Sequence, residues 1–173
     1  MANNLAFIMT PPFSEILLSA ARTSGPTEEL RCQALLEYAS TTQLLQTALQ
    51  RDLARAGLTE PGFKILATLR ASESEALFRS DLGSATGLSP MRVENAVSRL
   101  ETSHLVDRQR DPADRRLVWL RLTPTGRERV DHALRHYVAT VTKVMRFLDL
   151  TDLSACLDSS AKIRGGTVAL SSS

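Results

Sequence analysis

The stretch from Ser80 to Leu122 constrains the fold most strongly, because helix-start, turn and strand signals follow one another there at short, fixed spacing. Ser80 is placed to cap a short helix over residues 81–86, and Gly87 supplies a turn. Ser89 followed by Pro90 then opens a second helix, an N-cap serine with proline at the first helical position. In that helix Val93, Ala96, Val97 and Leu100 form an inner stripe, which gathers Arg92, Asn95 and Arg99 on the opposite face. Helix, glycine-containing turn, helix is the spacing of a helix-turn-helix. Strand-like runs follow at residues 105–110 and 117–122. The turn formers Asp111-Pro112-Ala113-Asp114 lie between them, with Arg115 and Arg116 at the base of that turn.

Helical patterns flank this unit on both sides. Residues 1–27 read as an arm, in which Pro11-Pro12 and Ser24-Gly25-Pro26 bracket a short apolar helix carrying Phe13, Ile16, Leu17 and Leu18. From Thr27, a candidate cap, to Ala56 the apolar positions recur at helical spacing, and Gly57 suits the C-terminal stop. Thr59-Glu60-Pro61 starts a shorter helix with Phe63, Ile65, Leu66 and Leu69 inside, closing near residues 71–75. Thr123-Pro124 caps a further long helix to about Leu148, and Thr151-Asp152 opens a last one to about Ile163. A small, polar tail, expected to be flexible, occupies residues 166–173.

Composition narrows the function. With 43% apolar residues the chain is too hydrophobic to be disordered, and no uncharged apolar run is long enough to span a membrane. The start of the chain lacks the pattern of a secretory signal, so a cytoplasmic location and no membrane partner are expected. Net charge is only +2, yet 18 of the 21 basic residues are arginine. Residues 89–129 hold nine arginines against six carboxylates. Arginine is favoured where planar, bidentate contact with phosphate or guanine is needed. No nucleophile elbow, phosphate loop or metal-hydrolase spacing is present, so the chain reads as a non-enzyme without a cofactor.

The segments GLTEPGFKILATL and SDLGSATGLSPMRVENAVSRLETSHLVDRQRDPADRRLVWLRLTPTGRERV resemble the multiple-antibiotic-resistance-regulator (MarR) family of bacterial repressors across residues 57–129. The resemblance implies a mainly α fold: a winged helix-turn-helix with a two-stranded wing and long N- and C-terminal dimerisation helices. It divides residues 28–165 into a winged helix at about 57–123 and dimerisation helices at about 28–56 and 123–164. Its expected partners are double-stranded DNA carrying a pseudo-palindromic operator, a second copy of the chain and a small-molecule effector, often an aromatic acid. Residues 89–102 would be the recognition helix, and Asp114 and Arg116 match the family's Asp-x-Arg wing pair, whose arginine enters the minor groove. The expected DNA-contacting set is Ser80, Ser89, Pro90, Arg92, Asn95, Arg99, Arg110, Asp114, Arg115 and Arg116. Two departures stand out. Gly62 replaces a larger residue and is expected to open room beside the ligand cavity, and His104 replaces a helix-ending glycine.

Thr42, Gln46 and Phe63 are candidates for the effector pocket that the resemblance implies, with Trp119 closing its side. Cys32 lies where peroxide-sensing relatives keep a reactive thiol, but Leu36 and Gln46 stand where hydroxyl partners are expected, so an inert cysteine is the reading preferred. Cys156 has still less around it. His132 and His136, four apart on one helix, could share a metal ion only with further ligands such as Glu28, Glu29 or Glu37. The alternatives to a ligand-released repressor are therefore a metal- or thiol-sensing repressor of the same fold and a non-sequence-specific architectural or protein-interaction module.

Overall fold

In a computed structural model the described residues are 12–72, 74, 76–111, 114 and 117–171. They form seven helices and three strands: α1 (Phe13–Ser24), α2 (Pro26–Arg55), α3 (Glu60–Ala71), β1 (Ala76–Phe78), α4 (Leu82–Thr86), α5 (Pro90–Thr102), β2 (Val106–Arg110), β3 (Val118–Leu122), α6 (Pro124–Met145) and α7 (Leu150–Ser171). A 3-10 turn, Arg79–Asp81, joins β1 to α4. The chain divides into two compact units, Met1–Ala48 and Leu49–Ser173.

In the first unit α1 ends at Gly25, whose φ of 136° suits glycine. Pro26 then sits in the first turn of α2, so Thr27 lies inside the helix and does not cap it. Arg22 Nε donates to Glu29 Oε1 at 2.6 Å across the break.

The second unit holds a core built from α3, α5, the sheet and one face of α6, with Ile65, Leu66, Leu69, Leu82, Val97, Leu120 and Val130 fully buried. The end of α2 enters it through Leu53, and the helix stops in a Schellman motif. Gly57 takes φ 69°, Gly57 N–H donates to Ala54 O, and Leu58 N–H to Leu53 O. Helix α3 starts on Thr59, whose hydroxyl accepts from Gly62 N–H at 3.3 Å. Gly62 lines a hollow of about 350 Å³ with Leu58, Ala96, Arg99 and Leu100. A Cβ there would press on the capping Thr59 Oγ1 at 3.3 Å and make only an ordinary contact with Leu100 Cδ2 at 3.5 Å.

The sheet is antiparallel in the order β1-β3-β2. The two-stranded wing is there as expected, Val106 facing Leu122 and Arg110 facing Val118. Strand β1 adds an edge that the sequence pattern did not announce, pairing Phe78 with Trp119. Three residues are too few to show alternation, and they become a strand only because β3 offers an unpaired edge.

At the C-terminal side α6 begins at Pro124, and Asp149 and Asp152 cap the start of α7 reciprocally, each backbone N–H donating to the other carboxylate at 3.2 and 2.8 Å. Helix α7 crosses Gly165 and Gly166 and ends at Ser171, beyond the expected stop near Ile163. Local propensity disfavours glycine by about 1 kcal/mol, but an existing helix propagates more easily than a new one nucleates.

Candidate nucleic-acid interface

Helix α5 buries Val93, Ala96, Val97 and Leu100, and the same 3.6-residue period leaves Arg92, Asn95 and Arg99 exposed. Neither arginine makes an ion pair among the described residues. Both guanidinium groups are therefore presented to solvent beside the exposed Asn95 carboxamide. A shallow hollow of about 170 Å³ between this face and Thr59 and Pro61 keeps the side chains clear of α3.

Ser89 occupies the N-cap backbone position, and its carbonyl accepts from Val93 N–H at 3.0 Å. Its side chain makes no capping bond, contrary to the serine-cap expectation, and Pro90 alone pre-sets the first turn. Ser80 is also no cap. It lies in the 3-10 turn, with its hydroxyl donating to Asp81 Oδ1 at 3.0 Å, because the tighter turn delays α4 to Leu82. Both serines are exposed. Ser80 and Pro90 line a cleft of about 280 Å³ that also receives Arg79, Glu94 and Leu117.

The base of the wing is a backbone joint. Helix α5 ends in a second Schellman motif, in which His104 N–H donates to Glu101 O and Leu105 N–H to Leu100 O, both at 2.9 Å. His104 adopts φ 56°, the only positive φ outside glycine among the described residues. The left-handed region costs a non-glycine residue roughly 1–2 kcal/mol. Backbone bonds offset this cost, together with the Thr123 hydroxyl, which donates to His104 O at 2.9 Å. Thr123 Oγ1 also accepts from Gly126 N–H at 2.9 Å, and Thr123 N–H donates to Leu105 O at 3.2 Å. One threonine thus caps α6 and ties it to the start of the wing.

The far end of the wing is organised by Asp111. Its Oδ1 accepts from Asp114 N–H at 3.1 Å and its Oδ2 accepts from Trp119 Nε1 at 2.8 Å. Trp119 also lies on Phe78, ring centroids 3.8 Å apart. Its indole is thereby tied to both β1 and Asp111. Arg110 ends β2 and is exposed, as is Asp114, while Arg115 and Arg116 fall outside the described residues, and the Asp114–Arg116 pairing with them.

An ionic cluster behind the α5 face is the feature that motif reading passed over. Glu94 pairs with Arg79 through Oε2 and with Arg108 Nη2 through Oε1 at 3.4 Å, and Arg108 Nε reaches Glu101 Oε1 at 3.0 Å. The hydrogen bond from Arg79 holds the Glu94 carboxyl below its ordinary range, against a smaller opposing effect of burial and with further help from Arg108. The signal was present in the sequence as carboxylates inside an arginine-rich stretch, but their partners lie 15 and 14 residues away.

The remaining candidates differ in exposure. Thr42 and Gln46 are exposed on α2, whereas Phe63 is buried and stacked on Tyr137 with centroids 5.2 Å apart. The rings of His132 and His136 are 4.4 Å apart, and no group of three or more possible metal ligands occurs among the described residues. Cys32 is half-buried and Cys156 exposed. No described helix is long and apolar enough to cross a membrane.

Helices α4 and α5 and the β2–β3 wing together form a winged helix-turn-helix. The family model for the MarR family matches residues 58–118. AbsC, a MarR family transcriptional regulator from Streptomyces coelicolor, is 32% identical, with 83% of this chain and 95% of AbsC covered and a TM-score of 0.69. The chain belongs to the MarR family. It is therefore one of a family of transcriptional regulators and not of enzymes. Sco3205, a MarR family regulator from the same organism solved in complex with DNA, is 25% identical over 78% of this chain and 85% of its own, with a TM-score of 0.70. BpsR from Bordetella bronchiseptica, whose DNA binding is regulated by 6-hydroxynicotinic acid, is 27% identical over 76% and 91% of the two chains, with a TM-score of 0.63. No curated protein matches the chain in sequence. This MarR member shares the fold of those regulators over three quarters or more of its chain.

Proposed function

We propose that this MarR protein is a homodimeric, sequence-specific transcriptional repressor that a small ligand, of the aromatic-acid class, releases from its operator. The observation that carries the reading is the exposed Arg92/Asn95/Arg99 face of α5, whose opposite side is locked into the core. Arginine can read guanine O6 and N7, and asparagine adenine N6 and N7, each good pair giving about 1–3 kcal/mol of discrimination. Ser80, Ser89 and Pro90 flank that face as phosphate-contacting positions, and Arg110, Asp114, Arg115 and Arg116 serve the wing in a minor groove.

Dimerisation is supported by apolar side chains left exposed on and between α6 and α7, among them Val138, Phe147, Leu150 and Leu157. In this reading residues 28–56 and 123–164 hold the dimer, residues 57–123 hold the DNA and residues 1–27 form an arm. The effector class is suggested by the aromatic acid that regulates BpsR.

Footprinting on the DNA upstream of the protein's own gene tests the proposal. One protected pseudo-palindrome of about two helical turns, lost on adding an aromatic acid, is the expected result. Uniform coating of any duplex would overturn it in favour of an architectural role.

A further inference from the structure

The proposed recognition helix carries an acid, Glu94, although a phosphate backbone favours cations. Glu94 is adjacent in sequence to Asn95, and its two carboxylate oxygens hold Arg79, from the turn before α4, and Arg108, from the first wing strand. Arg79 lines the cleft beside Pro90, Val93 and Glu94, and Arg108 lies on the exposed first wing strand, so both flank α5 on its Glu94 side. All three side chains are a third to a half exposed, so the cluster is a surface device and not part of the core. The orientation of α5 is already set by Val93, Ala96, Val97 and Leu100. Holding the helix in place is therefore not what requires Glu94.

We propose that Glu94 is a selectivity-determining residue: it keeps the guanidinium group of Arg79, and together with Glu101 that of Arg108, from the DNA backbone, so that stable binding depends on base contacts. The inference rests on the sequence-specific reading above. Free arginines near a duplex find phosphates wherever the protein lands, and each added phosphate contact strengthens binding irrespective of sequence. On an operator the base contacts fix the register, and with it which phosphates lie near these side chains. On non-cognate DNA the protein can slide until released guanidinium groups meet phosphates. Releasing them therefore strengthens non-cognate binding more than operator binding.

The test titrates the full-length protein and its Glu94→Gln variant against two duplexes of about 30 bp at a series of salt concentrations. One duplex carries the footprinted operator and the other a scrambled sequence. Glu94→Gln should tighten binding to the scrambled duplex roughly fivefold near 0.15 M salt and steepen the salt slope by about one unit, both from the release of Arg79, because Arg108 keeps its 3.0 Å pair with Glu101. The operator should gain less, so the ratio of the two affinities falls. Arg79→Gln in the otherwise unaltered chain should leave the slope unchanged, but in the Glu94→Gln background it should remove about one unit. Equal gains on both duplexes, no gain on either, or a shallower slope from Arg79→Gln alone would each overturn the proposal. If the unaltered protein itself fails to prefer the operator, it is the sequence-specific reading that falls.

Discussion

Replacing Gly126 by alanine tests the joint at the base of the wing more severely than the same change at any other described glycine. A Cβ at that position would lie 2.0 Å from Leu105 O, 2.9 Å from Leu105 C and 3.0 Å from Leu122 Cδ1. The nearest atom is backbone, and it is not free to retreat, because Leu105 O accepts from Thr123 N–H and Leu105 N–H is bonded to Leu100 O. Relief needs a shift of about 1 Å or more, which breaks the Thr123 bonds to Leu105 O and His104 O at about 1 kcal/mol each. Overpacking adds about 1–3 kcal/mol, and the better helix propensity of alanine returns up to about 1. The net expectation is about 2–4 kcal/mol of destabilisation, and a fall in Tm of about 5–15 °C for a chain of this length. Thermal and urea unfolding followed by circular dichroism at one fixed protein concentration measures it. Two other glycines calibrate the result. Gly87→Ala meets no atom within 4 Å and should cost only the strain of φ 68°, about 1–2 kcal/mol. Gly165→Ala, equally open and helical, should be neutral or stabilising by up to about 1 kcal/mol. If Gly126→Ala unfolds within 0.5 kcal/mol of the unaltered protein, a threshold set by the scatter of ordinary surface substitutions, the joint does not have the rigidity assigned to it.

Asn95→Ala should cost about 1–3 kcal/mol on the preferred operator and less on mismatched ones, whereas Arg116→Ala should weaken all operator variants alike and lower the salt slope by about one unit; titration of both variants against an operator-mutant set separates the two patterns. Trp119→Phe keeps a ring on Phe78 but removes the donor to Asp111, so unfolding experiments should show a loss of about 1 kcal/mol and DNA titrations a uniform weakening; no change in either would show that the wing turn stands without the indole. Cys32→Ser should leave DNA binding and its response to hydroperoxide as they are in the unaltered protein, and a gel-shift assay in which peroxide releases only the cysteine form would reinstate a thiol sensor.

What the sequence determined by itself was local. The Thr59 and Thr123 caps, the Gly57 stop, the Pro90 helix start and the buried stripe of α5 depend on residues within about one helical turn, and each appears where its pattern placed it. The exposed Arg92/Asn95/Arg99 face follows from that stripe by period alone. Where local signals competed with the surroundings, tertiary structure decided. Ser80 and Ser89 looked like caps, but their hydroxyls do no capping, and β1 exists only because β3 presents an edge. His104 occupies a left-handed position that its own chemistry disfavours, held there by Thr123 from 19 residues away. Glu94 and Asp111 acquire their roles from partners brought in by chain reversal: Arg79 and Arg108 for the first, Trp119 for the second. A periodic pattern records which side of an element faces the core, because burial acts on every turn of the chain. It carries no record of which distant polar atom will meet which, since that pairing costs nothing to leave unspecified until the core has fixed the distance between them.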